Sequence, residues 1–314
     1  MRIGLGISPP FDTARPAAEL PAVAAQAEAD GFDAVWTPCL PNVGPPEALV
    51  VLGAVGAATS RIEVGSYVIP TFPRHPAVLA QQALTVQELS ANRLTLGLGL
   101  SHKFVIEAGY GLDFSHPIRH LREYLTVLMP LLAGQPVQLS GQDYRVQQQP
   151  TVVPGVAAPP VLVAALQPQM LKLAGELADG TALGAGGPRY IETMAVPRIT
   201  DAAREAGRPA PRVAALFPIA VTSDRDGARA AGRAMYPGYE RLPSYRALLE
   251  MEGLTDMGEL VISGDEAEVR RQLRRLADIG VTDFVASRIA PQSDPQAYVR
   301  TYDVLADIAS RGVN

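Results

Sequence analysis

The chain has 314 residues, of which 47% are hydrophobic, so it can bury a sizeable core in one domain or two. Its net charge at pH 7 is −5 and no basic stripe is visible, which argues against a nucleic-acid-binding protein. No run of about 18 uncharged apolar residues occurs in the sequence, so we expect no membrane span.

Cysteine and histidine usage also narrows the class of protein. Cys39 is the single cysteine, which excludes an internal disulfide and fits a reducing cytoplasm. The four histidines are scattered, and no spacing typical of metal ligands is present. The chain enters a predicted strand directly at Arg2 with no signal segment, so we expect a cytoplasmic location. Abundant Ala, Pro, Gly and Arg with little Lys is an actinobacterial-type composition that indicates a GC-rich genome.

Eight apolar segments bounded by Gly, Pro or Asp are predicted strands. In chain order they are Ile3 to Ile7, Phe32 to Trp36, the run from Ile62 up to Pro70, Leu94 to Leu100, Val161 to Ala165, Gly180 to Leu183, Val213 to Val221 and Thr282 to Ala286.

Segments with apolar residues at helical spacing alternate with these strands. The predicted helices are Ala17 to Asp30, Pro46 to Thr59, Pro76 to Leu89, Pro117 to Leu132, Pro168 to Leu177, about Tyr190 to Ala206, a broken stretch from Ala228 to Met257, a helix opening at Gly264 and Tyr298 to Ala309. Asp265, with Glu268 three residues later, is predicted to cap the helix that opens at Gly264.

Eight strands alternating with helices predict one (β/α)8 barrel over residues 1–314, with a doubly wound open sheet as the alternative. A β-hairpin at about 137–147, with a short turn that contains Gly141, interrupts the alternation after the fourth barrel helix and is interpreted as an insertion. The Pro-rich segment from Pro150 to Pro160 is a predicted linker. The region at about 237–260, rich in turn residues, is a candidate lid.

Ligands of parallel α/β units bind beyond the C-terminal ends of the strands. Here the ends of the third and fourth strands carry Ser66 to Phe72 and Leu100 to His102. Gly97 and Gly99 lie where another backbone or a ligand must approach closely. Gly-x-Gly alone is weak evidence for a nucleotide site, because it lacks the third glycine of the dinucleotide-binding motif.

Three phrases carry a resemblance to a known family. They are Gly-Phe-Asp-Ala-Val-Trp at residues 31–36, Val-Gly-Ser-Tyr-Val-Ile-Pro-Thr-Phe-Pro-Arg-His-Pro-Ala-Val at 64–78, and Leu-Ser-Ala-Asn-Arg-Leu-Thr-Leu-Gly-Leu-Gly at 89–99. From Met1 to about Ile289, their order resembles the luciferase-like superfamily and, more closely, its coenzyme F420-dependent oxidoreductase branch. Many relatives carry an Asp-His pair near Cys39-Leu40, and this sequence does not.

The resemblance implies a coenzyme F420 site at the barrel mouth, built from three strand ends. At the third and fourth strands it implies contacts from Ser66, Tyr67, Gly99, Leu100 and Ser101, with a bulge and a non-proline cis bond at Ser66–Tyr67. The alternative for the cis bond is an ordinary trans strand end.

The loops after the fifth and sixth strands complete the predicted cofactor site. Small residues after the fifth strand leave room for a flat ring, and the glycine-rich loop after the sixth offers backbone amides to the cofactor phosphate. The predicted contacts are Ala164, Ala165, Leu166, Gln167, Gly184, Ala185, Gly186 and Gly187. Arg189 is adjacent to the glycine-rich loop and is either a phosphate partner or solvated. The structural alternatives are strand–helix packing after the fifth strand and a flexible turn after the sixth.

His102 falls where several relatives have an acidic residue beside the substrate, so it is the predicted proton donor. The alternative is a histidine with a structural hydrogen bond. Lys103 is a weaker candidate for contacting an anionic group.

Trp36, Cys39 and Phe72 are candidate walls of the substrate pocket, with core or interface packing as the alternative. Cys39 has no recognisable base partner, so it is not predicted to be a nucleophile. His75 is interpreted as a helix-capping or solvated residue.

The resemblance therefore predicts hydride transfer between C5 of the deazaflavin and a small organic substrate, by C=C or C=N reduction or by alcohol oxidation. It also implies a homodimer formed through the helices near strands two and three. An FMN-dependent monooxygenase of the same fold and a non-catalytic flavin-binding protein are the alternatives. The glycine-rich, Arg-poor loop favours the deazaflavin, because the terminal phosphate of FMN needs a tighter basic site.

Overall fold

The computed structural model describes residues 1–39, 46–150 and 152–312, and eight of its parallel strands close into a barrel. The barrel strands are β1 (Arg2–Gly6), β2 (Ala34–Thr37), β3 (Glu63–Ser66), β5 (Leu94–Gly99), β8 (Val161–Val163), β9 (Gly180–Gly184), β10 (Arg212–Val221) and β12 (Asp283–Arg288). Strand β12 pairs with β1, so the sheet has no open edge and the doubly wound alternative is wrong.

Helices surround the barrel and pack on the outward-facing strand residues. They are α1 (Leu20–Ala29), α2 (Ala48–Ala58), α3 (Pro76–Leu89), α4 (Pro117–Leu132), α5 (Pro168–Leu177), α6 (Pro188–Tyr190), α7 (Val196–Glu205), α8 (Arg225–Ala234), α9 (Pro243–Glu252), α10 (Glu266–Asp278) and α11 (Ala297–Arg311). A π-helical turn, Ile191–Ala195, joins α6 to α7, so residues 188–205 form one helical run. None of the helices among the described residues is long and apolar enough to span a membrane.

Four short strands lie outside the barrel. Strand β4 (Ile69–Pro70) pairs with β5, and β11 (Ile262–Gly264) pairs with the C-terminal end of β10. Strands β6 (Val137–Ser140) and β7 (Arg145–Gln148) form the predicted antiparallel hairpin directly after α4. Its interpretation as an insertion stays a prediction.

Residues at the N-terminal strand ends form a layer of charged side chains that seals one end of the barrel, which we call the floor. Arg212 of β10 donates to Asp283 at 2.7 Å, to Glu63 at 2.9 Å and to Thr95 at 3.0 Å. Arg2 lies 2.9 Å from Glu63, which extends the network to β1. The side chain of Asp283 is only 3% exposed, whereas that of Arg2 is 37% exposed, so this paired network runs from the barrel interior to the surface.

Above the floor, the barrel interior is filled by a small apolar cluster that contains Trp36, Tyr67, Leu162 and Leu216. The larger core lies outside the barrel, between strands and helices, as expected for this architecture. Glycines make room for Trp36 on both neighbouring strands: a methyl group on Gly65 would lie 2.3 Å from its ring.

Several local predictions are confirmed. Helices α3, α4 and α5 have the predicted bounds, and the side chain of Asp265 accepts a hydrogen bond from the Glu268 N–H at 2.8 Å, which caps α10. His75 precedes α3, and its Nδ1 accepts from the Ala77 N–H at 3.2 Å, the predicted cap. Strand β11 was not predicted, because three residues before the Asp265 cap are too short to show a period.

Candidate active site at the barrel mouth

The last inward-facing positions of three neighbouring strands are occupied by very small residues. Alternation along the strands places Gly99, Ala164 and Gly184 above the interior cluster that contains Leu162. A methyl group on Gly99 would lie 2.9 Å from the Val68 side chain and 3.0 Å from the Ala164 Cβ, whereas one on Gly184 would meet no atom within 4 Å. The C-terminal end of the barrel, which we call the mouth, therefore has open space beside Gly184, where barrel interiors usually carry branched side chains, while Val68 fills the space beside Gly99.

The third barrel strand contains the predicted bulge. Val64 of β3 lies opposite Leu94 of β5, but Ile69 of β4 lies opposite Leu98, so one extra residue lies between the two pairs. A non-proline cis bond is present there, between Tyr67 and Val68. The predicted position, Ser66–Tyr67, is wrong by one residue, because Ser66 still belongs to β3.

Ser66 is held in β3 by its hydroxyl, which accepts from the Gly97 N–H at 2.9 Å and donates to the Gly97 carbonyl at 2.8 Å. Both of its hydrogen-bonding roles are therefore satisfied within the sheet. A methyl group on Gly97 would lie 2.1 Å from the Ser66 carbonyl oxygen, which explains the glycine at that position.

Tyr67 points into the barrel. Its hydroxyl lies 2.9 Å from the Leu183 carbonyl and 3.0 Å from the Ala214 carbonyl, on β9 and β10. Burial raises the pKa of this phenol well above its usual value. The structure therefore places the Tyr67 side chain in the barrel interior, where it is not accessible to a ligand.

Trp36 and Cys39 do not lie where the sequence predicted them, in a pocket wall. The Trp36 ring is completely buried and meets Tyr67 edge to face at 5.6 Å, because position 36 faces inward on β2. Cys39 is 7% exposed and belongs to the core outside the barrel. Burial, together with the charge of Glu47, raises its thiol pKa, which agrees with its exclusion as a nucleophile. Leu40 lies outside the described residues.

Phe72 does line a cavity, of about 330 Å³, between the loop before α4, α4 itself and the tip of the hairpin. Its ring stacks on His120 at 3.7 Å and on Phe114 at 5.0 Å. The His120 Nε2 lies 3.0 Å from the Thr71 hydroxyl. Burial lowers the pKa of His120 to about 4, so this imidazole is neutral at pH 7.

His102 follows β5 and is partly buried among aromatic side chains. Its Nε2 lies 3.3 Å from the Tyr239 hydroxyl, and its ring meets Tyr245 at 5.9 Å and stacks on Phe104 at 5.8 Å. Burial lowers the pKa of His102 below its ordinary value, so the neutral imidazole is favoured at pH 7. Lys103, by contrast, is exposed and lies 3.7 Å from Glu107.

Backbone strain occurs at two strand ends of the mouth. Ser101, after β5, has φ 63° and Ala185, after β9, has φ 64°. A side chain in this left-handed region costs about 1–3 kcal/mol, and such residues cluster at functional sites. Leu100, which directly precedes Ser101, is half-buried and packs against the core outside the barrel.

The predicted cofactor contacts after β8 are close together, but some of their backbone groups already take part in hydrogen bonds within the protein. Ala164 donates its N–H to the Leu98 carbonyl at 2.8 Å, and Gln167 precedes α5. The carbonyls of Ala165 and Leu166 accept from the Tyr190 hydroxyl, at 3.5 and 2.9 Å. Tyr190 therefore joins the loop after β8 to the helix after β9.

The glycine-rich loop Gly184 to Gly187 leads into α6, as predicted, but the next two amides along the helix are not free. The N–H groups of Arg189 and Tyr190 donate to the carboxylate of Glu252, the last residue of α9. Gly186 lies against Tyr190: a methyl group there would meet the ring at 2.8 Å.

Sequence reasoning missed Ser8 and Glu252 at the mouth and considered Tyr236 only in connection with the candidate lid. The buried hydroxyls of Ser8 and Tyr236 have no hydrogen-bond partner among the described residues. Ser8 lies just after β1, so the rule that ligands bind beyond strand ends was a signal that could have found it. Glu252 gave no signal, because it follows the glycine-rich loop by more than sixty residues.

Comparison with known proteins bears on this geometry. The family model described as luciferase-like monooxygenase matches residues 1–283. An F420-dependent glucose-6-phosphate dehydrogenase from Nakamurella multipartita is 30% identical over 311 residues, covering 90% of this chain and 90% of that protein.

Solved structures with the same fold are named for two different cofactors. A coenzyme F420-dependent tetrahydromethanopterin reductase from Methanopyrus kandleri superimposes with a TM-score of 0.78 at 24% identity, covering 98% of this chain and 97% of that one. The oxygenating constituent of 3,6-diketocamphane monooxygenase from Pseudomonas putida, in complex with FMN, also gives a TM-score of 0.78, at 16% identity, over 100% of this chain and 99% of that one. The fold alone therefore does not choose the cofactor.

Proposed function

Because this chain belongs to the luciferase-like monooxygenase family, we propose that it is a coenzyme F420-dependent oxidoreductase acting on a small organic substrate. The observation that carries the proposal is the open space beside Gly184 at the mouth, next to the small residue Ala164, which suits a flat ring. The relative that is 30% identical over most of the chain is named for the same cofactor.

The residues at the mouth fit this group. The peptide groups of the bulge and of Leu100 and Ser101 are suited to one edge of the ring, and those of Ala164 to Gln167 to the other. The N–H groups at the start of α6 already bind an anion, the Glu252 carboxylate, so they are suited to the phosphodiester of the cofactor tail. Arg189 is exposed beside them.

When bound, coenzyme F420 supplies a hydride donor or acceptor at C5 of its deazaflavin. The chain supplies orientation, a site shielded by Tyr236 and Tyr239, and a proton carrier at His102. Because burial lowers the pKa of His102, its neutral imidazole is poised to take a proton from an alcohol as that alcohol is oxidised. The reverse proton transfer serves the reduction of a C=O, C=C or C=N bond.

An FMN-dependent monooxygenase is the alternative within the same fold. A phosphomonoester carries more negative charge than a phosphodiester, and the start of α6 lies against the Glu252 carboxylate. This arrangement favours the less charged phosphate group of the deazaflavin cofactor. A non-catalytic flavin-binding protein is the remaining alternative, and it would bind the cofactor without turnover.

Cofactor titration tests the proposal directly. We expect micromolar binding of coenzyme F420 and none of FMN, followed by calorimetry and by the fluorescence of Trp36, the single tryptophan, which contacts Tyr67 below the mouth. A preference for FMN would overturn the cofactor assignment, and binding of neither would overturn the proposed function.

Turnover then tests His102, using a screen of alcohols, enones and imines. The His102→Ala variant should bind coenzyme F420 normally but react about 100-fold more slowly. His75→Asn is the matched control, because His75 is exposed and an asparagine preserves its helix cap. Equal rates for His102→Ala and the unmodified chain would contradict the proton-carrier role.

We also propose a homodimer formed through α2 and α3, which expose large apolar side chains. Val50 is 74% exposed, Leu89 49% and Val78 47%. Val50→Lys should shift the sedimentation of a dimer to that of a monomer, whereas Val299→Lys, at a 55% exposed position on α11, should not. A single monomeric species for all three chains would contradict the dimer. The cytoplasmic location stays a prediction.

A further inference from the structure

The helical run that begins with α6 has no cap of its own. Gly187 precedes it and Pro188 is its first residue, so neither supplies a side-chain acceptor. Instead, Glu252 accepts from the Arg189 N–H at 3.2 Å and from the Tyr190 N–H at 2.5 Å. One carboxylate from a distant helix therefore satisfies both donors.

Gly187 makes this contact sterically feasible. A methyl group at position 187 would lie 2.3 Å from the Glu252 Cδ, so any side chain there would displace the carboxylate. A phosphate oxygen approaching the same two N–H groups needs the same space. The Glu252 carboxylate and the phosphodiester of a bound cofactor therefore cannot occupy this position together.

Helix α9, which carries Glu252, is only partly buried. Of its ten residues, Leu248 and Leu249 are buried, and Tyr245 and Met251 are half-buried against the core. Gly238 and Gly253, with φ of 79° and 74°, lie on either side of it, and Gly253 follows Glu252 directly. Glycines in this conformation tolerate backbone rotation better than other residues, so α9 can move as a unit.

We propose that Glu252 is a latch that holds α9 on the cofactor site until the cofactor phosphate replaces its carboxylate. The inference rests on the proposed function, since it assigns the competing anion to coenzyme F420. In the cofactor-free chain the latch is closed, and cofactor binding opens it. Because only the open state accepts the phosphate, the latch lowers the apparent affinity for the cofactor.

Removal of the carboxylate tests the latch. Glu252→Ala should bind coenzyme F420 about tenfold more tightly than the unmodified chain, as measured by Trp36 fluorescence and calorimetry. Glu250→Ala is the matched control, because Glu250 is an exposed residue of the same helix. It should leave the dissociation constant unchanged.

Amide hydrogen exchange of the unmodified chain gives a second, independent readout. On addition of coenzyme F420, exchange within α9 should become faster, while the Arg189 and Tyr190 amides stay protected by the new acceptor. This measurement tests the latch even if the Glu252→Ala variant fails to fold.

The outcomes separate the two proposals. Equal cofactor affinity in all three chains, or slower exchange in α9 on binding, would overturn the latch and leave the proposed function standing. No binding of coenzyme F420 to any of the three chains would overturn the proposed function, and the latch with it.

Discussion

The two ends of the barrel differ in whether their buried polar groups have hydrogen-bond partners. At the floor, Arg212 is hydrogen-bonded to Glu63, Asp283 and Thr95, so each charge has an opposite charge beside it. At the mouth, the buried hydroxyls of Ser8 and Tyr236 have no partner among the described residues. A buried polar group without a partner costs about 1–3 kcal/mol.

The ionisation of buried groups also differs between the two ends of the barrel. Burial alone would raise the pKa of Asp283, but the hydrogen bonds and charge of Arg212 hold it below its ordinary value, so the floor stays ionised. Near the mouth, burial lowers the pKa of His102 and His120, so both stay neutral. The floor is built for stability, whereas the mouth keeps unsatisfied groups and strained backbone at a cost in stability, as functional sites do.

The largest expected effect comes from breaking the floor. Arg212→Met leaves Glu63 and Asp283 with only the more exposed Arg2 as a cation and should lower the free energy of unfolding by about 3 kcal/mol in urea titrations. The control is Arg204→Met, which removes an exposed cation paired with Asp201 and should change little. A loss for Arg212→Met no larger than that of the control would show that the floor does not stabilise the barrel.

Acidification should next destabilise the chain through His120. Its pKa is about 4 in the folded chain and about 6.5 when unfolded, so its stabilising contribution is complete above pH 6.5 and is lost between pH 6.5 and about 4. Between pH 7 and pH 4.5, the unmodified chain should therefore lose about 2 kcal/mol more than His120→Gln. Urea titrations at the two pH values measure this difference. Parallel losses in both chains would refute it.

Ser66 and Ser8 are both fully buried, so they allow a hydroxyl that has hydrogen-bond partners to be compared with one that has none. Ser66→Ala removes two hydrogen bonds to Gly97 and should cost about 1–3 kcal/mol of unfolding free energy. Ser8→Ala should cost nothing, yet weaken coenzyme F420 binding about fivefold if its hydroxyl serves the ligand. Thermal unfolding and cofactor titration of the two variants make the comparison. Equal destabilisation would remove the distinction.

The smallest effect should come from the hairpin. Arg119 binds Asp143 through two nitrogens, as Arg212 does Asp283, but its side chain is 35% exposed. Arg119→Gln should therefore shift the melting temperature by no more than about 2 °C. A shift as large as that of Arg212→Met would show that burial is not what distinguishes the two pairs.

Periodicity and punctuation predicted much of the fold. Proline at the first position marked the starts of α3, α4 and α5, and their amphipathic spacing gave their ends. The eight strand segments indicated the barrel, because continuous apolar runs between helices are typical of buried parallel strands. Strands β4 and β11 have two and three residues, too few to show a pattern.

The site was harder to predict, because its features depend on register and long-range contact. The bulge was predicted by resemblance, but the cis bond was placed one residue early, since the hydroxyl that keeps Ser66 in β3 cannot be seen in the sequence. Trp36 was predicted at the rim, although strand alternation turns it inward. The predicted lid region does contact the mouth, through Tyr239 at His102, but its role as a lid stays a prediction.

Tyr67 has a consequence for how this scaffold can be altered. Neighbouring strands hold a closed barrel together around its circumference, but the Tyr67 phenol also reaches across the interior to carbonyls of β9 and β10. It links β3 to two strands that are not its neighbours and so fixes the distance between opposite sides of the barrel. Loops from related chains can therefore be grafted onto these strand ends with little change in barrel diameter, provided that this tyrosine is kept.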